Sequence, residues 1–203
     1  VIRAELRALR GGDRWWLLAG VVVGGALGSL GALGVSGVGS AGTPLARTLA
    51  LIGFASYGGW SAWLTLSDLR TQRLPNTTVW WASCSVIGVF ASALLVGGAG
   101  DTLRRALAVA AVAAVCAAAT WFVWPGLFGA GDVKLVPLTV FVAALPDSSF
   151  AILIFIAGVV CASAILAVVT LVRRRAVFAF GPVLLLASWC AVGVGPAVIH
   201  TRW

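Results

Sequence analysis

From Trp15 onward the chain is a series of long apolar runs separated by short polar breaks, and the runs are apolar on every face rather than along one stripe. Six of them, Trp15 to Val35, Thr48 to Ser67, Val79 to Gly98, Ala106 to Trp124, Phe150 to Val172 and Gly181 to Ile199, approach or exceed the about 20 residues that cross a hydrocarbon core about 30 Å thick. A seventh, Val133 to Leu145, is apolar but shorter. Strands of a membrane barrel would alternate in polarity, so the pattern predicts helices. The expected fold class is an all-α polytopic membrane protein with about seven transmembrane helices.

The breaks are short, and none has the composition of a linker or of an extramembrane domain. Gly20, Gly24 and Gly28 recur every fourth residue in the first run, which predicts close approach of another helix there. The alanine- and valine-rich fourth run, with Cys116, is read in the same way. No internal repeat of the kind seen in secondary transporters is evident. Basic residues precede the first run as they precede a secretory signal, but the run is longer than a signal core, so it is expected to remain as a membrane helix.

Composition strengthens this picture: 61% of the 203 residues are hydrophobic and 10% charged. The formal net charge of +8 is dispersed over short breaks, with no domain to hold a nucleic-acid-binding face, and it reads as topology. With seven crossings, one side collects Arg3, Arg7, Arg10, Arg14, Arg70, Arg73, Lys134, Arg173, Arg174 and Arg175. The other keeps Arg47, Arg104, Arg105 and Arg202. The richer side is expected to be cytoplasmic, with the amino terminus inside and the carboxy terminus outside. Arg3, Arg7 and Arg10 share a helical face beside Ile2, Leu6 and Leu9, as in a short helix lying on the inner surface. Cys84, Cys116, Cys161 and Cys190 are isolated within predicted helices and are expected to be buried small hydrophobes. With no paired cysteines and a lone His200, a metal site is not expected.

Of the six acids, Glu5, Asp13, Asp101 and Asp147 occupy ordinary terminal or loop positions. Asp68, in "LSDLRTQRLPN", closes the second run, and Asp132, in "GAGDVKL", opens the short one. Two crossings lie between them, so both face the same side. Val133 to Leu145 extends about 20 Å as a helix, which places Asp132 about 10 Å below the edge of a 30 Å core. An acid at that depth reads as functional. Pairing with Lys134, or of Asp68 with Arg70, is poorly placed, because residues two apart on a helix point to different faces. Lys134 is expected to reach the headgroups instead. Gly129 and Gly131 would permit irregular backbone and close approach around the acid, and Pro75 would fix the turn after Asp68.

Two neighbouring carboxylates share a proton and titrate as a pair. The ionised member can take a proton from water attacking a carbonyl while the protonated one donates to the carbonyl oxygen. Neither metal nor cofactor is needed. Intramembrane acids fit an ion- or proton-coupled transporter as well, with Asp68 and Asp132 as relay groups.

"DLRTQRLPN", followed 64 residues after its aspartate by that of "GAGDVKL", resembles the bacterial type IV prepilin peptidases and their archaeal preflagellin relatives, membrane aspartic proteases with a G-x-G-D motif. "FAFGPVLLLA", Phe178 to Ala187, is similar to a Phe-Gly-Pro stretch in a late helix of that family. The resemblance implies a division into residues 1–45, a basic segment with the first helix, and 46–203, a six-helix peptidase core. It implies Asp68 and Asp132 as the catalytic pair, with Gly129, Gly131, Lys134, Leu135, Pro75, Asn76, Gly181 and Pro182 in support. The implied partners are a prepilin or pseudopilin precursor with a hydrophobic N-terminal helix, and the lipid bilayer. Cleavage is implied on the cytoplasmic side of the inner membrane. Longer members carry a zinc-binding loop with paired cysteines after the first helix and methylate the new amino terminus. The connection here is short and has no cysteine, so peptidase activity alone is expected.

Overall fold

The computed structural model describes residues 18–26, 28–29, 35, 42–71, 76–123, 129–146, 149–173 and 180–200. Helices are the only regular secondary structure among them. Helix α1 runs through 18–26 and 28–29. It is followed by α2 (Pro44–Thr71), α3 (Asn76–Val96), α4 (Gly100–Val123), α5 (Ala130–Ala143), α6 (Ser149–Arg173) and α7 (Gly181–His200). The surface helix expected over Arg3, Arg7 and Arg10 lies outside the described residues.

Local sequence sets the ends of these helices. Thr43 precedes α2, its Oγ1 accepts the Ala46 amide at 3.2 Å, and Pro44 occupies the first helical position, where no backbone donor is missed. At the end of α3 the chain turns through Gly98 at φ 70, a left-handed conformation that favours glycine. There Ala99 N–H bonds the Leu94 carbonyl at 2.8 Å and Gly98 N–H the Leu95 carbonyl at 3.2 Å, satisfying the last turn.

Helix α5 is the central element, packed against α3, α4, α6 and α7. Its Leu135, Leu138, Phe141 and Val142 are fully buried. Phe90 of α3 stacks edge-on against Phe54 of α2, ring centroids 4.8 Å apart, and reaches Phe141 of α5 at 6.4 Å. The 14 residues of α5 span about 21 Å, against about 36 Å for the 24 of α4. At its carboxy-terminal end, Arg105 of α4 donates to the carbonyls of Ala144 and Pro146 at 3.3 and 3.2 Å. A cation there complements the negative end of the helix dipole.

Gly20, Gly24 and Gly28 of α1 face α2, as their spacing predicts. A Cβ on Gly24 would come within 2.7 Å of the Gly58 Cα, and one on Gly20 within 2.6 Å of the Ala62 Cβ. Outward-facing surface is apolar: Val112, Val115, Leu153 and Leu186 are all more than half exposed, the reverse of a water-facing helix. Helices α3 and α4 are long and apolar enough to cross a membrane, whereas Phe150–Ile165 and Gly181–Val194 are shorter apolar stretches. Among the described residues, two helices meet that measure where the sequence predicts about seven. One reason is that α2 interrupts its apolar run with Ser56, Tyr57, Ser61 and Thr65.

The cysteines correct the sequence-based expectation. All four are exposed rather than buried. A small weakly polar side chain suits a hydrocarbon-facing surface as well as an interior, so its presence in an apolar run does not specify which it occupies.

Candidate active site

Asp68 sits in the last turn of α2 and is 5% exposed. Its Oδ2 accepts the backbone N–H of Gly181 at 3.2 Å. Gly181 is the first residue of α7, where backbone donors have no partner within the helix and the dipole favours negative charge. Pro182 follows it and has no N–H, and the Val183 amide is taken by the Phe180 carbonyl at 3.1 Å. The Gly181 amide is therefore the donor this helix end presents to the acid.

Asp132 is the third residue of α5, with Gly129 at the cap. Its carboxylate accepts the Gly129 backbone N–H, while its own N–H bonds the Gly129 carbonyl at 3.0 Å. The acid makes the half of a capping box that reaches back from the third helical residue to the cap amide; the cap is a glycine, so the return bond is accepted by its backbone carbonyl and not by a side chain. This pairing fixes the carboxylate at the amino-terminal end of a second helix. Gly129 has φ −66 and ψ 143, extended backbone open to any residue. The unusual backbone expected from "GAGD" is thus not found at Gly129. What matters there is space: a Cβ would lie 3.1 Å from Asp132 Oδ2. Gly131 is half-buried in the first turn of α5.

The carboxyls of Asp68 and Asp132 lie within electrostatic reach of each other. Helices α3 and α7, each packed on both α2 and α5, hold the two acid-bearing helices in place. A polar belt reinforces the α2–α7 side. Tyr57 Oη and Ser188 Oγ share a hydrogen bond, and Trp189 Nε1 donates to Ser61 Oγ at 3.3 Å.

The supporting residues divide. Lys134 is exposed, and its Nζ donates to Asn76 Oδ1 at 2.6 Å, joining the start of α3 to α5 instead of extending alone to the headgroups. Leu135 is fully buried in the core. Pro75 lies outside the described residues. Thr78, two residues beyond Asn76, has the buried side-chain oxygen that lacks a hydrogen-bond partner among the described residues.

Sequence reasoning missed an apolar groove of about 430 Å³ beside Asp132. Val133, Val136 and Val140 form its floor, and α4 and α6 its sides. Phe180 and Leu184 of α7 also line it. One side carries a signal in the sequence, the run of small residues in α4, which helix packing alone would equally explain.

The type IV leader peptidase family model matches residues 55–172. No curated protein and no solved structure matches the chain. The matched span contains both Asp68, which is buried, and Asp132, which is half-buried, with the whole of α3, α4 and α5 and all the chain between the two acids. With more than half of the sequence matched, the chain belongs to the type IV leader peptidase family.

Proposed function

We propose that this protein is a membrane-embedded aspartic endopeptidase that removes a short basic leader from prepilin-like precursors, with Asp68 and Asp132 as its catalytic pair. The observation that carries the reading is the meeting of these two acids. They are far apart in sequence, they come from different helices, and each is held by a glycine amide at the start of a helix. Family membership implies a protease acting on prepilin-type substrates, and this pair supplies the chemistry. The ionised carboxylate takes a proton from the water that attacks the scissile carbonyl, and the protonated partner donates to the carbonyl oxygen. The pair then returns a proton to the departing amine. The Gly181 and Gly129 amides orient the two carboxylates throughout.

The proposal includes a core over 46–203 with the first helix, within 1–45, packed on its outside. It also includes about seven crossings of the inner membrane, the acids facing the cytoplasm, and hydrolysis without methyl transfer. Lys134 with Asn76 and Gly181 with Pro182 act in support by fixing the ends of the helices around the pair.

Replacement of either acid tests the assignment. Asp68→Asn and Asp132→Asn preserve shape but remove both base and acid, so cleavage of a leader-bearing precursor is expected to fall by at least about 10²- to 10⁴-fold. Melting of the detergent-solubilised protein is expected to be unchanged or higher, since burial of a charge is relieved. An acid that served only as a buried ion-pair partner would behave differently, its loss destabilising the bundle by about 3–5 kcal/mol. An asparagine variant that still cleaves, or one inactive only because it has unfolded, would refute the catalytic pair.

A further inference from the structure

We infer that the groove beside Asp132 seats one face of the substrate's apolar helix just beyond the scissile bond, admitted sideways from the lipid between α4 and α6. The inference rests on the peptidase reading above and adds where the substrate lies and how it arrives. Helices α4 and α6 each pack on α5 and leave the gap between themselves open. The rims of that gap carry Val112, Ile156 and Val160, all more than half exposed and all apolar. A membrane helix can therefore slide in without crossing a polar barrier.

The polarity of the groove selects the form of its occupant. Among the described residues, Asp132 is the one charged residue lining it. The hydroxyl of Thr120, across from it on α4, donates to the Cys116 carbonyl of its own helix at 2.8 Å. An extended peptide lying here would leave its backbone donors and acceptors unpaired against valine and isoleucine, at a cost of several kcal/mol each. A helix satisfies its backbone internally, so the occupant is a helix. Length follows from α4, whose lining residues run from Val109 to Thr120, about 17 Å or three helical turns. A helix of that length, about 10 Å across, has several times the groove's 430 Å³. The groove thus takes a single face and leaves the other in lipid.

Asp132 and Thr120 mark the end of the groove where the cut falls. Any chain cleaved at Asp132 continues from there along Val133, Val136 and Val140. The substrate is thereby recognised through about its first eleven residues after the cut, by shape and apolarity. The small Ala113, Cys116 and Ala117 of α4 leave room for its larger side chains.

Cys116 gives a direct test. In an enzyme carrying Asp132→Asn to trap substrate, and Cys84→Ser, Cys161→Ser and Cys190→Ser to leave Cys116 alone, oxidative crosslinking is measured to precursors with single cysteines walked through the first twelve positions after the cut. Crosslinks are expected to peak about four residues beyond the cut, because Cys116 lies one turn from Thr120. In a Cys116→Ser background, Val112→Cys moves the peak about four residues further. An enzyme retaining only Cys84, on α3, gives none. Uniform yields, equal yields from Cys84, or no substrate crosslinks would overturn the inference and leave the groove to lipid chains alone. A second variant, Ala117→Trp, fills the groove and leaves both acids in the sequence. It is expected to raise KM for the membrane-inserted precursor at least tenfold with kcat within about twofold, and an unchanged KM in the folded variant would count against the groove. The two readings fail separately. Loss of cleavage on replacing the acids, without positional crosslinks, removes the groove alone. Positional crosslinks in an asparagine variant that still cleaves remove the catalytic pair and leave the groove.

Discussion

Gly129 illustrates how a single missing carbon can matter next to a proposed catalytic group. Its backbone angles are open to alanine, so substitution introduces no backbone strain and removes some freedom of the unfolded chain, worth about 0.4–1 kcal/mol. The new Cβ would instead stand 3.1 Å from Asp132 Oδ2, and the carboxylate must move by a few tenths of an ångström. Gly129→Ala is expected to melt at or slightly above the parent temperature while cleaving about 10- to 100-fold more slowly. Initial rates measured beside a thermal melt check it; a variant with the parent rate would show that this spacing is inert. The two acids were legible in the sequence because a charge inside an apolar run is costly and conspicuous. Gly129 was legible as a place of irregular backbone or close approach, and the folded turn shows that close approach, not backbone angle, is what it provides. The Lys134–Asn76 bond joins residues 58 apart and leaves no local mark.

At the level of helices, patterns of small residues proved more readable than patterns of hydroxyls. The four-residue glycine spacing in α1 correctly announced a close helix contact, and the partner is the face of α2 containing Gly58. Gly24→Leu drives a branched side chain into the α2 backbone. It is expected to destabilise the protein by about 1–3 kcal/mol, read as a lower melting temperature in detergent. Specific cleavage per folded molecule should hold, because this interface does not include either acid. Activity lost in proportion to the folded fraction supports a core that works independently of the α1 contact, whereas activity lost in the fully folded variant would place α1 within the machinery. By contrast, Tyr57, Ser61, Ser188 and Trp189 looked like isolated interruptions of apolar runs. Only the packing of α2 on α7 pairs them, across 131 and 128 residues.

Across the whole molecule, the ends of the helices give a sense of level. Trp80 and Trp81 stand near the start of α3, and Trp121 and Phe122 near the end of α4, aromatic residues at helix ends such as are enriched at a membrane–water boundary. Reporter fusions at Val1 and Trp203 are expected to fall on opposite sides, the first cytoplasmic; both on one side would remove a crossing from the proposed seven. The short α5 is fastened at its far end, where Arg105 holds the carbonyls of Ala144 and Pro146. Asp132 therefore stands at a height of about 18 Å measured up from that fastening, whatever the bilayer does above it. A substrate helix with one face in the groove and the other in lipid takes its level in part from the lipid around it. Bilayer thickness then becomes a control on the reaction, aligning or misaligning the bond to be cut with an acid of fixed height. In vesicles of graded acyl-chain length, cleavage is expected to pass through a maximum and decline on both sides of it, with the enzyme folded throughout. A flat response would mean that enzyme and substrate ride the membrane together. A peaked one would make the lipid composition of the cell a determinant of which precursors mature.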